Sequence, residues 1–85
     1  MSYELTDRGK MFFGDVFDVY EGQHWIGSLT QAKHPGGWTA TTPSGHWAGT
    51  LPFENQNQAT KWLARQGERI HKRDRDRYEF KGPRL

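Results

Sequence analysis

The sequence predicts an α+β fold in which an antiparallel β-meander of three or four strands packs against one C-terminal α-helix. Two observations carry this prediction. The first is a repeated phrase, because residues 24–29 (HWIGSL) recur 22 residues later as residues 46–51 (HWAGTL), each time after a glycine-containing turn. The second is a change in apolar spacing, from alternation along the first half of the chain to a helical period after residue 58.

The strands are expected where apolar and polar residues alternate between turn signals. In the second strand Trp25, Gly27 and Leu29 should share one face, directed at the helix. Gly27 and its counterpart Gly49 lack a side chain and are expected to leave room for the helix on that face. The predicted strands cover residues 12–20, 24–32, 38–42 and 46–51.

The helix is expected to begin after Asn55, a good N-cap residue, with Gln58 as its capping-box partner. Gly67 is a weak point in the predicted helix interior. Beyond Ile70 the apolar stripe stops, and residues 71–77 (HKRDRDR) should extend the helix only through weak charge pairs four residues apart. The stripe consists of Ala59, Trp62, Leu63, Gln66 and Ile70.

The length of 85 residues predicts a single small domain. We expect a flexible N-terminus over residues 1–10, one meander-plus-helix domain over residues 11–73, and a charged tail over residues 74–85. The chain has no cysteine, which excludes disulfides and favours a reducing cytoplasmic location. No apolar run predicts a signal peptide or a membrane span.

Charge is distributed unevenly along the chain. Residues 1–60 carry three cations against six carboxylates, a net −3, whereas residues 61–85 carry nine cations against four carboxylates, a net +5. A basic C-terminal segment beside a mildly acidic body predicts either a solvated, salt-bridged helix end or an anion-binding surface.

Catalytic and metal-binding patterns are weak. The four histidines match no zinc spacing and are expected to be ordinary surface residues, although the equivalent positions of His24 and His46 in the repeat could bring these two near each other. Asp15 and Asp18 fall on opposite faces of a strand and cannot form a paired carboxylate site. We therefore expect a non-enzymatic protein without a metal or cofactor.

The four tryptophans divide into two that are expected in the core and two, Trp38 and Trp47, for which a core and a surface position are about equally favoured. Trp25 and Trp62 are expected in the core, while exposed aromatic rings often anchor protein partners. The expected contact surface is the sheet face opposite the helix, with the turns at residues 35–37 and 43–45. The protein-binding candidates are Trp38, Trp47, His24 and His46.

A nucleic-acid surface is the alternative. Cations along the C-terminal helix could follow a phosphate backbone, but Asp74 and Asp76 interrupt them and would repel phosphate. The nucleic-acid-binding candidates are Lys61, Arg65, Arg69, Lys72, Arg73, Arg75 and Arg77, together with Trp47.

The segment Trp47-Ala48-Gly49-Thr50-Leu51, followed by the helix with Ala59, resembles the plant AP2 DNA-binding domain and the related arm-binding domains of phage integrases. The resemblance covers residues 17–64 and includes Trp38-Thr39-Ala40. It implies a three-stranded sheet packed on a helix, with the exposed face reading the major groove through arginines and Trp47 assisting. This chain has no arginine in its four predicted strands, and Gly45 occupies a position where the family has one.

These observations lead to two functional hypotheses. The first is a small intracellular protein-interaction effector with an unidentified protein partner; short chains rich in tryptophan and glycine resemble small proteins encoded by bacteriophages. The second is a DNA- or RNA-binding module that uses the basic helix and the sheet face. No membrane contact is expected, and the protein should be a monomer or a homodimer, because an exposed strand edge can pair with a second copy.

Overall fold

A computed structural model describes residues 3–11, 14–32, 37–49 and 53–78. The fold is α+β, as predicted, and its sheet is antiparallel. Strands β1 to β4 form a meander in chain order, and β5 pairs with β3 beside β4. The elements are β1 (Glu4–Met11), β2 (Gly14–Glu21), β3 (His24–Ala32), β4 (Trp38–Thr41), α1 (Gln56–Gln66), β5 (Ile70–His71) and a 3-10 helix (Lys72–Arg77).

The prediction of a C-terminal helix is wrong in position, because α1 lies in mid-chain and ends early. Asn55 is its N-cap and its side chain accepts a hydrogen bond from the Gln58 backbone N–H, as predicted. Gly67 adopts a left-handed conformation with φ of 75° and ends the helix. The residue expected to weaken the helix therefore terminates it, and Ile70 of the predicted stripe pairs with Trp25 as part of β5.

The predicted flexible N-terminus contains a strand. β1 pairs along β2 from Glu4 opposite Tyr20 to Met11 opposite Gly14. Leu5 packs against the core, so alternate residues of this polar segment gain burial from the pairing. The predicted first strand, residues 12–20, corresponds to β2, and its residues 12 and 13 lie outside the described residues.

The second copy of the repeat does not form a regular strand in its described part. Trp47 makes only an isolated bridge to Thr41, and Phe53 makes another to Trp38. The predicted strand 46–51 is therefore wrong over residues 46–49, while residues 50 and 51 lie outside the described residues. Predicted strands 24–32 and 38–42 are confirmed as β3 and β4.

A β-bulge in β3 changes the face on which Trp25 lies. Val19 is opposite Gly27 but Tyr20 is opposite Trp25, so Ile26 is the extra residue. Ile26 joins Val19 in the core, whereas Trp25 contacts the 3-10 helix on the other side of the sheet. The prediction that Trp25 shares a face with Gly27 is therefore wrong, because a one-residue shift moves a side chain to the other face.

The core lies between α1 and the sheet over β3 and β4. Leu63 is fully buried, which stabilises the fold by about 1.5–3 kcal/mol relative to an exposed leucine. A Cβ atom on Gly27 would lie 2.5 Å from Leu63 Cδ2, so the glycine permits this close approach, as predicted. A Cβ atom on Gly49 would have no atom within 4 Å. The prediction that Gly49 makes room for the helix is therefore not confirmed.

Candidate functional site

The sheet face opposite α1, expected to be the contact surface, is buried along the cross-strand row through β2, β3 and β4. Asp18 is 8% exposed, and Ser28 and Thr41 of the same cross-strand row are 2% and 3% exposed. Part of this burial comes from the 3-10 helix, which folds back beside Trp25. The prediction of an open sheet face is therefore wrong over this row, and at one end of it Arg75 of the 3-10 helix contacts Asp18 and Trp25.

A buried ion pair holds the 3-10 helix against that face. Arg75 Nη2 donates to Asp18 Oδ1 over 3.0 Å, and the Arg75 guanidinium lies 4.0 Å from the centre of the Trp25 ring. The same carboxylate oxygen accepts from Ser28 Oγ at 3.0 Å and from Arg8 Nε at 3.3 Å. With three donors on one oxygen, this carboxylate serves as a structural anchor for the 3-10 helix.

Burial and neighbouring charges shift three pKa values around this face. Burial raises the pKa of Asp18, and Arg8 acts in the opposite direction. Burial also raises the pKa of Tyr20, with a further contribution from the Asp18 charge. Nearer the surface, the hydrogen bond from Arg69 lowers the pKa of Glu21.

The predicted basic surface is divided by these contacts. Arg75 is only 5% exposed and faces the sheet, which removes it from any phosphate-binding surface. Arg69 forms an ion pair with Glu21, and Lys72 Nζ lies 5.2 Å from the centre of the Tyr20 ring. Arg77 Nη1 lies 3.8 Å from Asp74 Oδ1. The other three candidates are exposed: Lys61 and Arg65 lie one turn apart on α1, and Arg73 lies on the 3-10 helix.

The protein-binding candidates, which are aromatic residues and histidines, do not form one surface. Trp38 is 9% exposed, and the centre of its ring lies 5.7 Å from that of Phe17. Its indole therefore belongs to the core and is not a surface anchor. Trp47 is half-buried. His24 contacts His71 at 5.8 Å between ring centres, because β5 pairs with β3 there.

His46 lies in the turn after β4, where its N–H donates to Thr42 Oγ1. Within the described ranges no group of three histidine, aspartate or glutamate side chains could hold a metal ion. Strand pairing places His24 and His71, turn formation places His46, and His34 lies outside the described residues.

Sequence reasoning missed an open groove beside β1. The groove has a volume of about 230 Å³ and lies between the first turns of α1 and the start of β1. It exists because α1 packs over β3 and β4 and leaves the β1 side of the same face partly uncovered. Its lining consists of Tyr3, Leu5, Gln56, Asn57 and Thr60.

Comparisons of the chain with models of known families, with curated proteins and with solved structures gave no match. The resemblance to AP2-type domains and the phage origin therefore stay predictions. In the described part of the chain, no helix is long and apolar enough to cross a membrane.

The strand edge next to the groove is accessible. Among the described strands β1 pairs only with β2, so its other edge has no strand partner in the part of the chain that the structure describes. Glu4, Thr6 and Asp7 are exposed, while Tyr3 and Leu5 are half-buried. The alternation of Tyr3, Glu4, Leu5 and Thr6 was the sequence signal for this strand, but its apolar residues are few.

Proposed function

We propose that this protein is a non-enzymatic protein-interaction module that binds an extended segment of a partner protein along β1. The observation that carries the proposal is the combination of a strand edge without a partner among the described residues and an adjoining groove on one side of the sheet. An added strand would gain backbone hydrogen bonds from β1, and its alternate side chains would reach the groove.

The edge supports this role through its length and its composition. β1 has eight residues, which is enough for several backbone hydrogen bonds to an added strand. A bulge between Asp7 and Gly9 disturbs the pairing near the middle of β1, and charged residues flank it. Such features limit unspecific edge pairing, so a bound segment would be directed to the start of β1, where the groove lies.

The groove supports it through its lining. Tyr3 and Leu5 offer apolar surface, and the amide side chains of Gln56 and Asn57 are exposed at the rim. Thr60 is 4% exposed and closes the groove on the α1 side. Apolar and polar groups thus share the lining about equally, so a bound side chain would contact Tyr3 and Leu5 while the amides and the threonine fix its orientation.

Nucleic-acid binding is less well supported, because most of the basic candidates have partners within the protein. Four of the seven form ion pairs or ring contacts. Among the described residues, Lys61, Arg65 and Arg73 show no such contact; the first two lie one turn apart on α1 and the third lies on the 3-10 helix. Three cations on two elements offer fewer phosphate contacts than the seven that the sequence predicts.

The test begins with a phage-displayed library of random peptides selected on the immobilised protein. Selected peptides and a generic DNA duplex are then titrated separately into the ¹⁵N-labelled protein at low salt. We expect the peptides to move the amide resonances of β1 and of residues 56–60. Asn57→Trp should fill the groove and weaken peptide binding by about tenfold or more.

Ala64→Trp is the matched control, because Ala64 is exposed on the same helix two turns beyond Asn57 and does not line the groove. It should bind the peptides as the wild-type protein does. Peptides that leave the β1 amides unmoved would overturn the proposal. DNA binding that weakens steeply with salt and disappears when Lys61, Arg65 and Arg73 are changed to glutamate would favour the nucleic-acid hypothesis instead.

A further inference from the structure

We propose that the segment bound by β1 carries one bulky apolar side chain, two basic side chains, and a fixed spacing between them. This inference rests on the proposed function and names the chemistry of the partner. It follows from the groove lining, the charges on the β1 edge and the alternation of side chains along a strand.

The apolar side chain is assigned to the groove. Leu5 and Tyr3 form its apolar part, and the volume of about 230 Å³ is enough for one large side chain such as phenylalanine, leucine or methionine. The groove holds no charged side chain among its lining residues. A charged residue placed there would lose hydration without an ion-pair partner, so selection should favour an apolar one.

The basic side chains are assigned to the acidic start of the edge. Glu4 and Asp7 are exposed on either side of Leu5 and Thr6. The nearest cation in β1, Arg8, forms an ion pair with Asp18, and Lys10 lies further along the strand. Carboxylates at this end therefore favour lysine or arginine in the added strand.

Strand alternation fixes the spacing of these three side chains. Leu5 and Asp7 lie on the face that carries α1, and Glu4 and Thr6 lie on the other face. Partner residues opposite Glu4, Leu5 and Asp7 would be basic, apolar and basic in turn. A parallel partner reads basic–apolar–any–basic, and an antiparallel partner reads basic–any–apolar–basic.

A segment of another protein fits this pattern, whereas a second copy of β1 does not. The sequence of β1, ELTDRGKM, contains neither spacing in either direction. Antiparallel pairing that centres on Asp7 would also bring two aspartates together, which is unfavourable. We therefore commit to a basic segment of a different protein as the occupant.

Three synthetic peptides test the inference. One contains lysine–phenylalanine–valine–lysine, the second contains lysine–valine–phenylalanine–lysine, and the third has glutamate in place of each lysine of the first; all have the same threonine and valine flanks. Affinity is measured by fluorescence anisotropy, and the site by amide shifts of the labelled protein. We expect one lysine peptide to bind at β1 and the glutamate peptide to bind at least about tenfold more weakly.

Variants of the protein separate charge from shape. Glu4→Gln and Asp7→Asn should each weaken binding of the lysine peptide by up to about fivefold and reduce its salt dependence. Asparagine at position 7 can still accept the hydrogen bond that Asp7 Oδ1 receives from the Gly9 N–H. Asp76→Asn, which removes an exposed charge from the 3-10 helix, is the matched control and should leave the affinity unchanged.

The outcomes distinguish this inference from the proposed function. If library peptides move the β1 amides but show no preference for basic residues, the partner chemistry is wrong and strand addition stands. If neither lysine peptide moves β1, the partner chemistry is also overturned, and the library result alone decides the proposed function. Dimerisation of the unbound protein through β1, detected by sedimentation and by shifts of the same amides, would make a second copy the occupant and would overturn the inference.

Discussion

Replacement of Gly27 by alanine should be among the most damaging single-methyl changes in this protein. The new Cβ atom would lie 2.5 Å from Leu63 Cδ2 and 2.6 Å from the Thr41 carbonyl oxygen. Carbon atoms at optimal contact lie about 3.5–4.0 Å apart, so both neighbours must move by about an ångström. Leu63 can change rotamer, but the Thr41 oxygen belongs to the backbone of β4 and can move only with the strand.

The expected cost combines crowding and backbone strain. Overpacking of this kind costs about 1–3 kcal/mol. Gly27 has a φ of 147°, in a region that side chains rarely adopt, which adds about 1–3 kcal/mol for alanine. The sum of about 2–6 kcal/mol is a large part of the roughly 4–13 kcal/mol expected for a domain of this size.

Urea unfolding followed by tryptophan fluorescence would measure this cost. Gly9→Ala is the matched control, because Gly9 lies in β1 with a φ of 115° and has no atom within 4 Å of the new Cβ position. The difference between the two variants isolates crowding and should be about 1–3 kcal/mol. A second check is Leu63→Ala, in whose background Gly27→Ala should cost less by about 1 kcal/mol. Equal costs for the Gly27 and Gly9 variants would refute the packing explanation.

Three further changes test the anchor, the helix cap and the surface charges. Because burial raises the pKa of Asp18 above 3.8, the folded protein binds more protons than the unfolded chain just above that pH. The unfolding free energy of wild type should therefore fall relative to Asp18→Asn as the pH rises above 3.8, and parallel pH profiles would contradict this. Asn55→Ala removes the acceptor for the Gln58 N–H and should lower the free energy of unfolding in urea by about 1 kcal/mol. A loss of helical circular dichroism should accompany it, because the first turn of α1 frays. No change in either measurement would show that the cap is dispensable. Asp74→Asn breaks the exposed pair with Arg77 and should change thermal unfolding by less than about 0.5 kcal/mol, so a larger loss would mean that this pair is better shielded than its exposure indicates.

Elements of the fold that depend on residues close together in the sequence could be predicted. β3, β4 and the Asn55 cap are specified by nearby residues, through alternation, turn glycines and a side chain that reaches its own helix. β1 was missed because its residues are mostly polar, and the strand gains its stability from pairing with β2. Local propensity carries no information about such a partner.

The repeat misled the prediction for a physical reason. Both copies read as strands, but the first contains a bulge at Ile26 and the second makes only isolated bridges. A bulge depends on how two strands are matched, and a single strand sequence does not show it. The face assigned to Trp25 was therefore wrong, although its burial was predicted.

The candidate site could be predicted least. The basic residues were grouped by their closeness in sequence, but Arg75 reaches Asp18 across 57 positions and Arg69 reaches Glu21 across 48. Long-range ion pairs of this kind remove cations from a surface that sequence alone would assign to them. The groove depends on how far α1 extends over the sheet, which is a tertiary property.

The position of β3 among its neighbours constrains the order in which the fold can be completed. β3 pairs with β2 along one side, and β4 and β5 divide the other side between them. The β2–β3 hairpin closes a short loop, whereas the Asp18–Arg75 contact must close a very long one. During synthesis the meander can therefore form early, while Asp18 and Trp25 lack their contacts with Arg75 until Arg75 has left the ribosome. Those contacts thus follow the pairing of β2 with β3, and until they form a nascent chain exposes to chaperones part of the Trp25 ring that the finished protein conceals.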